Sequence, residues 1–218
     1  MLLGAGADLL GFPLGLDVNA EDIGVDEVRR IVQALKIQRR ATVITYLRRA
    51  RDVIDLCNAV GSRKLQLHGE IELQQLVAIR AFFPDLFIIK SLIVGADPLA
   101  ELRCRAEQYE PHVDAFIVDT YDPTSGASGA TGKVHDWQVS STLVCHSRRP
   151  VLLAGGLSAN NVAQAIGVVQ PAGVDVHTGV EDRSGRKDPE LVARFIDSAR
   201  TALAEIDSAD SATTKQRG

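Results

Sequence analysis

Residues 150–181 read PVLLAGGLSANNVAQAIGVVQPAGVDVHTGVE, and this stretch decides the fold. Val151 to Ala154 is a short apolar run of the kind that forms a strand buried on both faces, and Gly155-Gly156 breaks it with a tight turn. Ser158 offers a helix N-cap, and Val162, Ala163, Ile166 and Val169 recur at helical spacing before Pro171 and Gly173 stop the helix. A second apolar run, Gly173 to Val176, follows and ends at Thr178-Gly179. The pattern is one β-turn-α-β unit. It puts two glycine-rich loops at neighbouring strand ends, where bare backbone N–H groups hold an anion, so Gly155, Gly156, Thr178 and Gly179 read as a phosphate-binding site.

The same alternation runs back along the chain. Strands are expected at 8–14, 41–47, 64–67, 87–94, 115–119, 151–154 and 173–176. Helices are expected at 25–35, 50–60, 70–82, 97–108, 136–144 and 191–206. Strand then helix, repeated, is the signature of a parallel sheet, and a phosphate site near the C-terminus matches the loops after strands seven and eight of a (β/α)8 TIM barrel. Seven strands are readable, and Met1 to Ala7 reads as the last turn of a helix and its glycine stop, so strand one is the piece the pattern lacks. One domain is expected over 1–206, with 207–218 (DSADSATTKQRG) as a disordered polar tail. The longest loop, Thr120 to Lys133 (TYDPTSGASGATGK), leaves the C-terminal end of a strand and is expected to cover a ligand.

Composition narrows the partners. A net charge of -4 in 218 residues gives no electrostatic case for nucleic acid or an acidic membrane, and no stretch reaches spanning length. Cys57, Cys104 and Cys145 are an odd number without a CxxC pair, which suggests neither a disulfide framework nor a metal site and fits a cytoplasmic protein. The expected ligand is small.

Five motifs then occur in order: LQLHGE (65–70), FIVDT (116–120), GATGKVHDW (129–137), LLAGGLSANNVAQAI (152–166) and GVDVHTGVE (173–181). Together they resemble phosphoribosylanthranilate isomerase, and GADLLGF (6–12) looks like that family's second strand with its lead-in. The resemblance implies a metal-free and cofactor-free Amadori rearrangement of an aminoaldose phosphate in tryptophan biosynthesis. It implies Asp119 as the general acid, His68 at the anthranilate end of the substrate, and Gly129, Thr131 and Gly132 in a loop over the sugar phosphate. A carboxyl at an inward-facing strand end has its pKa raised by burial, which suits an acid. Trp137 is expected in the core.

The chain also departs from that family's pattern. The family's base is a cysteine in a KICG-like first strand, which this sequence does not contain, and the three cysteines present fall in helices. The loop Gly15 to Asp22 carries Asp17, Glu21 and Asp22 where the family has an arginine for the anthranilate carboxylate. His177 stands where a serine is usual and would serve as a base, since imidazole titrates in the useful range. Two readings follow: an isomerase, or a diverged protein that binds or isomerises a phosphosugar without the family's cysteine and arginine. Open edges at 8–14 and 173–176 would favour a homodimer.

Overall fold

The computed structural model describes residues 1–16, 23–122, 127–128 and 134–215. In chain order the elements are α1 (Leu2–Ala5), β1 (Leu10–Pro13), α2 (Val25–Leu35), β2 (Ala41–Thr45), α3 (Ala50–Val60), β3 (Lys64–Leu67), α4 (Leu73–Phe82) and β4 (Phe87–Val94). They continue as α5 (Leu99–Tyr109), β5 (Ala115–Asp122), β6 (Ala127–Ser128), α6 (Trp137–His146), β7 (Val151–Leu153), α7 (Val162–Val169), β8 (Gly173–Val174) and α8 (Pro189–Lys215). These fall into two compact units, Asp8–Leu92 with Arg105–Phe116, and Met1–Ala7 with Ile93–Cys104 and Ile117–Gly218.

In the first unit β1, β2, β3 and β4 pair in parallel in that order. Leu10 faces Ala41, Val43 faces Leu65, and Leu65 faces Ile88. Val43, Leu65 and Ile88 are fully buried, and the polar Gln66, Lys90 and Ser91 are buried as well, so both faces of these strands are covered. Pro13, which cannot donate to a ladder, sits on β1, which pairs only with β2 among the described strands. Helix α2 has Asp26 and Glu27 in its first turn, where the helix dipole favours acids, and buries Val28 and Val32. Leu35, which the spacing places inward, is 56% exposed: the helix stops at Lys36 in the left-handed conformation (φ 53), and Ile37 takes the buried place.

In the second unit β7 and β8 pair in parallel, with Leu153 facing Val174, and the Ala154 amide donates to the Val118 carbonyl of β5 at 2.8 Å. A core of Leu153, Leu157, Val162, Ile166, Val169, Val192 and Phe195 lies between β7, α7 and α8. Each fully buried aliphatic side chain there contributes roughly 1.5–3 kcal/mol. Trp137 packs against the same cluster, as the sequence predicts. Helix α8 begins at Pro189, capped by the Asp188 carboxylate, which accepts from the Glu190 and Leu191 amides at 2.8 and 3.0 Å. It continues to Lys215, so the backbone is helical through most of the segment whose composition reads as a polar tail.

Helix α1 ends at Gly6 (φ 103), as MLLGAGA suggests, and the Arg200 guanidinium donates to the Gly6 carbonyl at 2.8 Å. No helix among the described residues is long and apolar enough to cross a membrane.

Candidate active site

The ends of β7 and β8 meet the middle of β5, which runs on to Asp122 past the expected end at 119. Ala154 is hydrogen-bonded to Val118, and the Asp175 amide donates to the Leu153 carbonyl at 2.9 Å, so the residues following β7 are flanked by Asp119 and by Asp175. The chain then turns at Gly155 (φ 87) and Gly156 (φ 62), a left-handed pair that glycine alone adopts without strain. Space requires glycine as well. A β-carbon at residue 155 would overlap the Thr120 hydroxyl and come within 3.2 Å of Asp119 Oδ1.

The second glycine turn is built against the first. Thr178–Val180 forms a 3-10 turn, and a β-carbon on Gly179 would overlap the Leu157 carbonyl oxygen. Strand β8 is shorter than the apolar run suggests, ending at Val174. Ser158 is not the helix cap. Helix α7 begins at Val162, and the Asn161 side chain instead reaches back, accepting from the Ser158 amide at 2.8 Å and donating to the Gly156 carbonyl at 3.0 Å. One amide thereby fixes the turn after β7, a role that no local pattern in SANN announces.

Asp119 is 7% exposed. Burial raises its carboxyl pKa to about 7, opposed by the Thr120 amide, which donates to Oδ1 at 2.7 Å, and assisted by the negative charge of Asp175. Asp175 is a site residue that the sequence reading passes over. It presents its side chain to solvent while crowded by protein atoms, and that crowding raises its pKa, countered by His177 and then Lys187.

His177 stands two residues beyond Asp175 with its ring exposed, Nδ1 lying 3.1 Å from Glu181 Oε1. Lys187 completes the group, donating to Glu181 Oε1 at 2.5 Å and to the His177 carbonyl at 2.9 Å. If the neutral imidazole donates Nδ1–H to Glu181, Nε2 carries the lone pair that a base requires.

His68 belongs to the first unit. Its amide donates to the Thr45 carbonyl at 2.9 Å, continuing the ladder one residue past β3. Its ring is 6% exposed, with Nδ1 at 3.1 Å from Ser91 Oγ and 3.3 Å from Gln66 Nε2, and it leans on the Tyr46 ring with centroids 5.0 Å apart. Gly129, Thr131 and Gly132, together with the acidic loop at 17–22, lie outside the described residues. The cysteines are on helices, as expected: Cys57 is buried on α3, its thiol pushed up to about 12 by desolvation, and Cys104 on α5 and Cys145 on α6 are exposed. No cluster of metal-ligating side chains occurs among the described residues.

Residues 25–198 match the family model described as N-(5'phosphoribosyl)anthranilate (PRA) isomerase. The chain is 35% identical over 204 residues to N-(5'-phosphoribosyl)anthranilate isomerase 2 of Methanosarcina mazei, covering 92% of this chain and 88% of that protein. It is 36% identical over 204 residues to the N-(5'-phosphoribosyl)anthranilate isomerase of Haloferax volcanii, covering 93% and 88%. A solved phosphoribosyl anthranilate isomerase in complex with reduced 1-(o-carboxyphenylamino)-1-deoxyribulose 5-phosphate superposes with a TM-score of 0.72 at 25% identity, covering 92% of this chain and 91% of that one. The parallel strands, the helices between them and the glycine turns at the strand ends are therefore those of a TIM-barrel α/β fold, and the chain belongs to the N-(5'-phosphoribosyl)anthranilate isomerase family.

Proposed function

We propose that this chain catalyses the Amadori rearrangement of N-(5-phosphoribosyl)anthranilate to 1-(2-carboxyphenylamino)-1-deoxyribulose 5-phosphate, a step of tryptophan biosynthesis. The observation that carries this reading is the buried Asp119 carboxyl, poised near neutrality directly beside the Gly155 turn. The reaction needs an acid to protonate the furanose ring oxygen, so that the C1′–O bond breaks and the anilino nitrogen forms an iminium. A base then removes the C2′ proton, giving an enolamine that tautomerises to the ketone. A carboxyl with a pKa near 7 is protonated often enough to donate and is still a competent acid at cellular pH.

The phosphate end of the substrate is held by the paired turns at Gly155–Gly156 and Thr178–Gly179, whose backbone contact keeps their N–H groups in one place. His68 contributes to the anthranilate end and the 129–133 loop to the sugar. His177 is the chain's own candidate for the base, with Glu181 setting its tautomer. No cofactor or metal enters this scheme.

Turnover of phosphoribosylanthranilate, followed by the loss of its anthranilate-type fluorescence, tests the assignment. Conversion by the wild-type chain that is slowed at least a hundredfold by Asp119→Asn is the expected result. A chain that is stabilised by ribose 5-phosphate but gives no turnover would be a phosphosugar-binding relative instead.

A further inference from the structure

We propose that His135 is a positioning residue: its imidazole, held between the hydroxyls of Thr120 and Ser140, fixes Thr120 and through it the Asp119 carboxyl against the Gly155 turn. The inference rests on the acid role given to Asp119 above.

His135 Nδ1 lies 2.8 Å from Thr120 Oγ1, and Nε2 lies 2.5 Å from Ser140 Oγ. Ser140, on α6, is fully buried, and Thr120 is 4% exposed, so both ends of this chain of hydrogen bonds are anchored away from water. A neutral imidazole offers one N–H and one lone pair, and a hydroxyl accepts or donates as required, so either tautomer satisfies both contacts. Desolvation holds the ring in that neutral form by lowering its pKa to about 4, against the pull of the Asp136 carboxylate. Asp136 is itself engaged in capping α6 through the Gln138 amide at 2.9 Å.

The near end of the chain touches the chemistry. The Thr120 hydroxyl occupies the space that a side chain at Gly155 would fill, while the Thr120 amide supplies the 2.7 Å hydrogen bond to Asp119 Oδ1. A threonine hydroxyl has three staggered wells, and the imidazole selects one of them. With that well fixed, residue 120 cannot withdraw from the glycine turn, and its amide stays aimed at the carboxylate. An imidazole placed there costs a polar group in a half-buried site, which a purely structural start to α6 would not require.

The test uses the full chain with His135→Phe, His135→Asn, Thr120→Val, Ser140→Ala and the His135→Phe/Thr120→Val double variant. Carbon-detected NMR follows the Asp119 carboxyl titration, and steady-state kinetics follow turnover. Expected are a titration midpoint raised by about half a pH unit or more in the single His135→Phe and Thr120→Val variants, and a double variant no worse than the worse single one. His135→Asn, which keeps a polar atom toward Thr120, recovers part of the effect. In turnover, kcat falls roughly tenfold while KM stays within about twofold.

An unchanged midpoint in folded His135→Phe or Thr120→Val, or additive effects in the double variant, overturns the proposal. Should His135→Phe not fold, Thr120→Val and Ser140→Ala decide it by the same midpoint. A wild-type chain without turnover would refute the isomerase reading alone, since the titration arm needs no activity.

Discussion

The Gly179 backbone lies against the Leu157 carbonyl so closely that any β-carbon at 179 would overlap it. The two glycine turns are therefore one object, not two neighbouring loops. Gly179→Ala has to push the Thr178–Val180 turn away from the turn after β7, and we expect KM for the phosphorylated substrate to rise tenfold or more, by order of magnitude, as two or more charge-assisted contacts are lost. Gly167, inside α7 with open space around its α-carbon, is the control. Gly167→Ala gains about 0.5–1 kcal/mol of stability in chemical denaturation and leaves KM alone. Equal KM values for the two variants would refute the phosphate assignment.

Asp119 couples activity to stability with opposite signs. Its folded pKa of about 7 lies above the ordinary 3.8, so between those values the folded carboxyl holds a proton that the unfolded chain has released. Stability is then fully present below pH about 3.8 and is lost as pH rises through about 7. Asp119→Asn abolishes that loss: its melting temperature relative to wild type rises from pH 4 to pH 8, while its turnover collapses. With Asp119 as the proposed proton donor, the alkaline limb of kcat/KM is expected to fall as pH rises past about 7, because a general acid works protonated. A melting difference that is flat with pH would place the raised pKa elsewhere.

His68 Nδ1 lies within hydrogen-bond reach of Ser91 Oγ and Gln66 Nε2, and its ring leans on Tyr46, so hydrogen bonds and packing together orient it. His68→Ala is expected to raise KM several-fold, in the range of one to two lost hydrogen bonds, with kcat changed less than about twofold. Ser91→Ala should reproduce a fraction of that rise. A fall in kcat with unchanged KM would give His68 a chemical role instead.

Lys90 is 4% exposed, and its ammonium donates to the Ser91 and Leu67 carbonyls at 2.8 and 3.3 Å. Burial, with a smaller contribution from Arg105 and against the pull of Glu70, lowers its pKa to about 7. Between pH about 7 and 10.5 the unfolded chain carries a proton that the folded lysine has lost, so this residue makes stability rise with pH across that window. Lys90→Met loses two hydrogen bonds and is less stable overall, but its stability should lack the upward slope, by at most about 1.4 kcal/mol per pH unit. Urea denaturation at pH 7 and pH 10 measures the slope, and identical slopes in the two proteins would show that Lys90 stays charged.

Much of this was open to reading along the chain. Strands β3 and β4 occupy the bounds expected for them: β4 is a mostly aliphatic run, and β3 is marked by Leu65 and Leu67 before His68-Gly69. Gly155-Gly156 announces its turn for an equally local reason, since only glycine takes two successive left-handed residues cheaply. Asp119 stood out through the resemblance of FIVDT to the family's motif; the strand that carries it runs on to Asp122, three residues past the expected end. The misses have a common cause. Asn161, Asp175, Thr120 and His135 act on groups that lie elsewhere along the chain or across a turn, and nothing in the spacing of SANN or KVHDW names the partner.

What the sequence determined by itself is the order of strands and helices, the glycine turns and the family, because periodicity and backbone permissiveness are properties of neighbouring residues. What only the tertiary structure decided is that Gly179 leans on Leu157, that Asp119 is buried beside Gly155 and Thr120, and that His135 grips Thr120 from the start of α6. Those relations exist only once strands distant in sequence are brought side by side, and it is that desolvation, not residue type, that raises the Asp119 pKa.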